Sequence, residues 1–173
     1  MASIGHVLVG AAASKAYRTN QRTRWPVIAA AALWSALSLL PDADVIGFKL
    51  GVRYADPWGH RGATHSFVVA LAVAAVAGLI ARAAKLPAWR TALVAAAVVA
   101  SHPLLDTMTD GGLGCALLWP ASDERFFAPW RPIPVAPIGA RFISARGLRI
   151  AVTELLLLSP FLIYALWPRR RRS

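Results

Sequence analysis

The sequence predicts an all-α fold, a polytopic membrane helix bundle of four to five helices with a long irregular outer loop. Hydrophobic residues make up 57% of the 173 residues, whereas an ordinary soluble domain contains about 45–50%. The chain has five apolar runs, and the last four approach the roughly 20 residues that cross a bilayer once flanking Trp, Lys and Arg side chains are counted. At this length we expect a single domain, residues 1–173. A soluble bundle of very apolar helices is the alternative.

The five runs define the helices in order, and the loops between them differ in character. The first run is a short helix that either spans the membrane or is half-inserted, and the last contains Glu154 one turn from its start. Residues 45–59 mix Gly, Lys, Arg, Asp and Pro and predict a loop. Residues 107–149, rich in Gly, Pro and Trp, predict a lid-like outer loop. The runs are residues 2–14, 27–40, 67–81, 91–100 and 150–167.

The distribution of basic residues predicts the topology. If all five runs cross the membrane, residues 15–25, 82–90 and the tail 168–173 share one side, where they carry four, three and four basic residues and no acids. By the positive-inside rule that side is cytoplasmic. These eleven charges equal the net charge of +11. The basicity therefore reports membrane topology, and we expect no nucleic-acid partner.

The candidate metal ligands all fall on the opposite, outer side in this topology. They lie at the outer ends of the five runs, two of them in the stretch from His60 to Ser66. The single cysteine, Cys115, excludes a cysteine-based zinc cluster, so a metal would take imidazole nitrogens and carboxylate oxygens. The candidates are His6, Asp42, Asp44, His60, His65, His102, Asp106 and Glu154.

Spacing determines which of these side chains share a face. His102 and Asp106 are four residues apart, so they share one face if the helix continues through Pro103 and not if it kinks there. Asp42 and Asp44 are two apart and point to the same side only in an extended segment. Taken singly, each pair also fits a hydrogen-bonded couple or a turn.

The stretch around Arg61 has two interpretations. A guanidinium matches the geometry of a phosphate or carboxylate, and the alternatives are an ion pair with Asp56 or contact with a lipid headgroup. Thr64 or Ser66 would cap the helix that follows. The sequence leaves these alternatives open.

The motifs resemble a known family. They occur here in the family's order, the early His6 also matches, and His60 to Ser66 is the most specific of them. The resemblance covers about residues 1–130 and is to the LexA-regulated, membrane-bound metal-dependent hydrolases of the bacterial inner membrane. The motifs are Leu40 to Asp44, His60 to Ser66, Ser101 to Asp106 and Leu117 to Pro120.

The resemblance implies a multi-pass bacterial inner-membrane protein with a His/Asp metal centre, distantly similar to zinc-dependent phospholipase C-like proteins. We expect one or two divalent ions, zinc first and manganese or iron as alternatives. A metal lowers the pKa of bound water toward about 7 and polarises a phosphoryl oxygen, so the expected reaction is hydrolysis of a phosphoester or related bond in a lipid or lipid-linked substrate. The expected metal ligands are His6, Asp42, His65, His102 and Asp106, with Asp44 on a second metal.

The same interpretation gives His60 the role of proton mover and Arg61 that of anion clamp. Two other functions fit the same residues. One is a metal-ion transporter or metal sensor that uses the same ligands. The other is a metal-free lipid phosphatase with a histidine nucleophile, which would require a cluster of basic residues around the phosphate.

Overall fold

The fold is all-α, as predicted. The computed structural model describes residues 3–18 and 26–168, which form α-helices, three 3₁₀ helices and loops, with two isolated β-bridges. The described residues contain six α-helices because the last apolar run is two helices, divided at Leu158. The helices are α1 (Ser3–Arg18), α2 (Val27–Leu39), α3 (Phe67–Ala83), α4 (Ala88–Thr107), α5 (Ala145–Leu157) and α6 (Ser159–Leu166).

The apolar helices account for the membrane character of the chain. Two helical stretches are long and apolar enough to cross a bilayer: Val27–Leu50, with 24 residues, and α4, with 20. Helices α5 and α6 form a third candidate span, bent by 64°. Helix α3 is apolar but shorter, with 17 residues. The predicted cytoplasmic charges in residues 19–25 and 169–173 lie outside the described residues.

Helix α1 occupies the middle of the bundle and packs against α2, α4, α5 and α6. A Cβ on Gly10 would lie 2.4 Å from Cα of Ser35, so only glycine allows α1 and α2 to cross this closely. The buried core joins Tyr17 of α1 and Trp34 of α2 to small residues of α3 and α4. The Tyr17 hydroxyl also lies 2.8 Å from Oγ1 of Thr91. These contacts fix α1, α2 and α4 relative to one another.

Several predicted boundaries were wrong. The chain continues after α2 as a 3₁₀ helix, Leu40–Leu50, so the predicted loop at 45–59 begins only at Gly51. Gly51 ends this helix because its φ of 83° is accessible to glycine at little cost. Helix α5 starts at Ala145 rather than at residue 150, with the Ser144 hydroxyl accepting a hydrogen bond from the Gly147 amide.

Two local expectations concern the ends of α3 and α4. Ser66 caps α3 by accepting a hydrogen bond from the Val69 amide, as the sequence allowed. Helix α4 continues through Pro103, begins three residues before the predicted run, and keeps His102 and Asp106 on one face. Membrane bundles tolerate an internal proline because neighbouring groups satisfy the backbone it disturbs.

Candidate metal centre

The predicted ligands meet at one end of the bundle. The start of α1, the 3₁₀ helix after α2, the loop before α3 and the last turns of α4 converge there. This convergence arises because α1 and α3 begin at the end of the bundle where α4 finishes. The segments carry His6, Asp42, Asp44, His60, His65, His102 and Asp106.

Four of these side chains form a compact donor group. Nε2 of His65 lies 3.6 Å from Oδ1 of Asp42 and 3.6 Å from Oδ2 of Asp106. Nε2 of His102 lies 3.3 Å and 3.9 Å from the same two oxygens. All four atoms lie within 4.8 Å of one another. We call these four residues the donor group.

The donor group fits a tetrahedral metal ion. Ligands with metal bonds of about 2.0–2.2 Å lie about 3.3–3.6 Å apart at the corners of a tetrahedron, close to the distances measured here. Both Nε2 atoms are buried, and neither has a hydrogen-bond partner among the described residues. Buried polar nitrogens are normally satisfied, so a cation between the two histidines and two carboxylates would explain them. The four residues of the donor group could therefore hold a metal ion together.

The opposite nitrogens of the two histidines are held by the protein. Nδ1 of His102 donates to the backbone carbonyl of Ser38 over 2.7 Å. Nδ1 of His65 lies 3.0 Å from Oγ1 of Thr64, which itself donates to Asp44. These contacts hold Nδ1 of each ring against the protein and leave Nε2 as the nitrogen that would bind a metal, as in histidines that ligate metals.

Asp44 lies behind the donor group rather than within it. Its carboxylate accepts hydrogen bonds from the Thr64 hydroxyl over 2.7 Å and from the Arg61 amide over 3.2 Å. Nδ1 of His60 donates to its other oxygen over 2.7 Å. The oxygens of Asp44 also complete a second possible donor set with His60 and His65. The hydrogen bonds indicate that Asp44 orients these residues, while the predicted second metal stays a prediction.

The two aspartates hold His65 from opposite sides. The expectation that they share a side only in an extended segment does not describe this site, because the segment is a 3₁₀ helix. Asp42 faces Nε2 of His65, whereas Asp44 lies 3.2 Å from Nδ1. Two carboxylates pointing in different directions therefore serve one imidazole ring.

His6 stands beside the donor group. Its ring stacks on His102 with centroids 3.6 Å apart, and its Nε2 lies 3.6 Å from the second oxygen of Asp106. Both ring nitrogens are buried, with no hydrogen-bond partner among the described residues. His6 thus shares Asp106 with the donor group but is not one of its four members.

Arg61 is buried and turned toward Asp106. Its Nε lies 3.0 Å from Oδ2 of Asp106, and one terminal nitrogen donates to Thr109 and to the Gly111 carbonyl. The ion pair is therefore with Asp106 and not with Asp56, which pairs with Arg53. Arg61 also has φ 64°, an uncommon conformation for a non-glycine residue and one that concentrates at functional sites.

The carboxylates also set the proton affinity of His65. Burial lowers the pKa of His65, but the carboxylates of Asp106, Asp42 and Asp44 that surround the ring raise it by more, to about 10. A metal ligand must be deprotonated. Metal binding at His65 therefore competes with a firmly held proton.

A cavity of about 320 Å³ opens beside the donor group. Asp42 is the donor-group residue that lines it, and its side chain is 24% exposed while the other three are at most 1% exposed. His60, Arg61 and Tyr54 line the same cavity. Catalytic metal sites keep an open position of this kind, whereas structural sites are closed.

Other residues at the site were not singled out from the sequence. Arg125 donates three hydrogen bonds to the backbone carbonyls of Tyr54, Asp56 and His60, which tie the loop after α4 to the site. Thr64 was predicted only as a possible cap of the following helix, and its hydrogen bond to Asp44 was not expected. A threonine before a histidine is only a weak sequence indication of a functional role. An arginine that binds backbone carbonyls has no sequence pattern that would indicate it.

Glu154 has a partner in α1. It is fully buried, and its Oε2 accepts a hydrogen bond of 3.1 Å from the Gly5 amide. A carboxylate near the first turn of a helix satisfies free backbone amides and the positive end of the helix dipole. Glu154 therefore anchors the start of α1, next to His6.

Comparisons with known proteins agree on the family. The family model described as "YdjM inner membrane protein" matches residues 1–171. The chain is 44% identical over 143 residues to "Inner membrane protein YbcI" of Escherichia coli (strain K12), which covers 78% of this chain and 81% of that protein. No solved structure matches the chain. The relatives' names give a location and no activity.

Proposed function

This chain belongs to the family of YdjM inner membrane proteins, and from that premise we propose that it is a metal-dependent hydrolase. Its substrate would contain a phosphoester or related bond in a lipid or lipid-linked molecule. The observation that supports this most is the pair of buried Nε2 atoms, on His65 and His102, that face Asp42 and Asp106 at the spacing of a tetrahedral site. Zinc suits such a nitrogen and oxygen set, and manganese or iron are alternatives.

The residues around the cavity fit this chemistry. A bound divalent ion supplies a nucleophilic water and polarises the scissile bond. His60 donates from Nδ1 to Asp44, so its Nε2 carries the lone pair and could accept a proton in the cavity. Arg61 lines the same cavity and could attract an anion, although most of its donors are already used.

The two alternative functions receive less support. A histidine nucleophile at His102 would have the carboxylates of Asp42 and Asp106 within 4 Å of its Nε2, and these would repel a phosphate. A transporter would place its ligands along a path near the middle of the membrane. Here the ligands lie at helix ends beside a cavity.

The test measures metal and turnover separately. Purified wild-type protein, loaded with zinc and desalted, should retain zinc by elemental mass spectrometry and hydrolyse a lipid phosphoester in nanodiscs. The variants H65A and H102A should lose both properties. H60A, which replaces a histidine outside the donor group, should keep at least one zinc ion per chain and lose turnover. Unchanged zinc in both H65A and H102A would refute the site, and activity that survives complete chelation would refute the mechanism.

A further inference from the structure

A basic and apolar surface borders the cavity. Residues 138–149 expose the side chains of Ile138, Ile143 and Leu148, with Ile143 89% exposed. The same segment exposes three arginines, and residues 125–153 contain no acidic residue. No carboxylate of the described residues forms an ion pair with these arginines. The arginines are Arg141, Arg146 and Arg149.

The surface is continuous with the cavity that holds Asp42 and His60. Ile138, Gly139 and Phe142 line the cavity wall. Arg141 lies between two of these lining residues in the 3₁₀ helix Gly139–Phe142, and α5 begins three residues later. A ligand held by the arginines would therefore lie at the mouth of the candidate metal centre.

Helix α5 has the side-chain distribution of a helix at a membrane surface. Gly147, Ile150 and Glu154 are buried against the bundle. Leu148 and Val152 are exposed and apolar, whereas Arg146 and Arg149, one turn apart, are exposed and basic. Apolar and basic side chains on neighbouring faces match acyl chains and anionic head groups.

Exposed tryptophans indicate that this end of the bundle lies at the membrane interface. Trp58 and Trp119 pack edge to face with ring centroids 5.1 Å apart, and Trp58 is 60% exposed. Trp130 is also exposed. Trp89 lies at the start of α4, the end of that helix far from the donor group. A 20-residue helix is about 30 Å long, so Trp89 is about that far from these tryptophans along the bundle. Tryptophan collects at both interfaces of a bilayer.

We propose that residues 138–149 bind the head groups of anionic phospholipids at the mouth of the cavity. The inference also names a substrate class, since the bound anionic phospholipid would be the substrate of the hydrolase. In that respect it rests on the proposed function. The bound phosphate would lie against Arg141, Arg146 and Arg149, and the acyl chains would follow the exposed apolar face of α5. The source of the phosphate is a membrane lipid rather than a free anion.

The test compares two variants that each lose two positive charges. R146Q/R149Q removes charge from the proposed surface, and R82Q/K85Q removes it from the end of α3, where both side chains are exposed. Full-length protein in neutral detergent is mixed with equal amounts of phosphatidylglycerol and phosphatidylcholine, and native mass spectrometry counts the retained lipids. Wild type and R82Q/K85Q should prefer phosphatidylglycerol. R146Q/R149Q should bind it about 30-fold more weakly, the equivalent of ~1 kcal/mol for each arginine.

The outcomes separate this inference from the hydrolase proposal. Undiminished phosphatidylglycerol binding by R146Q/R149Q would overturn the inference, and so would displacement of the lipid by inorganic phosphate alone. Zinc content of the same samples reports on the donor group independently. Loss of lipid preference with zinc retained supports the surface. If H102A kept its zinc while the arginine variant lost its lipid, the surface would stand and the hydrolase would not.

Discussion

The backbone carbonyl of Ser38 accepts a 2.7 Å hydrogen bond from Nδ1 of His102. Ser38 is buried in the last turn of α2, and His102 lies near the end of α4. The bond fixes the ring so that Nε2 faces Asp42 and Asp106. The geometry of the donor group therefore depends on how α2 packs against α4, and metal binding and bundle stability should be coupled.

Zinc should stabilise the folded protein through this coupling. A ligand that binds only the folded state at 100 times its dissociation constant adds about 2.7 kcal/mol to the free energy of unfolding. We expect zinc to raise the thermal unfolding temperature of the wild type, and a chelator to reverse the increase. H102A should show little response. An equal increase in H102A would mean that zinc binds elsewhere.

Replacing Asp44 should weaken metal binding without changing the number of ions bound. D44N removes the carboxylate that orients His65 through Thr64, and loss of such an orienting partner costs about 10–100-fold in affinity. Zinc titration of the purified protein measures both quantities. D56N is the matched control, because Asp56 pairs with Arg53 outside the donor group. A wild type with two ions and a D44N variant with one would instead make Asp44 a ligand.

Arg61 should contribute more to stability than a surface arginine does. R61M leaves the buried Asp106 carboxylate without its guanidinium, and breaking a buried ion pair costs about 3–5 kcal/mol. R61K keeps the charge but loses the fork that reaches Thr109 and Gly111, so a smaller loss of about 1–3 kcal/mol is expected. Denaturant unfolding in the presence of chelator measures both. If R61M had the same free energy of unfolding as the wild type, Arg61 would not be needed for stability, and its role as an anion clamp would be favoured.

The sequence predicted the residues of the site more fully than their roles. Apolar runs and the distribution of charges are properties of the sequence itself, so the all-α membrane class could be predicted from it. The convergence of His6, His65 and His102 followed from counting helix ends. Asp42 and Asp44 were expected in different roles, with Asp44 on a second metal. The hydrogen bonds that Asp44 accepts from Thr64 and His60 could not be predicted, because they depend on the turn of a 3₁₀ helix.

Contacts between distant segments were also beyond the sequence. Arg61 lies close to Asp56 in the chain, yet it pairs with Asp106 on another helix. The sequence does carry a signal at the break between α5 and α6, because Pro160 lies in the first turn of α6, where proline is favoured. The prediction treated residues 150–167 as one apolar run and did not use this signal. Glu154 was recognised as costly in a membrane, but a backbone amide of α1 as its partner has no signature in sequence.

Close packing of α1 on α2 should make Gly10 sensitive to substitution. In G10A the new Cβ would lie 2.4 Å from the Ser35 backbone, which forces the helices apart and costs about 1–3 kcal/mol. G78A is the matched control, since its Cβ would meet the Ala92 side chain at 3.1 Å. Thermal unfolding should show the larger loss in G10A. Equal losses would mean that the α1–α2 crossing adapts.

Cys115 should be inert in the folded protein and should make stability depend on alkaline pH. Burial raises the pKa of its thiol to about 12, whereas an unfolded cysteine has a pKa of about 8.5. Between these values the unfolded chain releases the proton and the folded chain retains it, so the stability held below pH 8.5 declines as the pH rises. Wild type should lose about 2 kcal/mol more than C115A between about pH 8 and pH 10. Alkylation by iodoacetamide at pH 8 should require unfolding; rapid labelling of the folded protein would contradict the burial of this thiol.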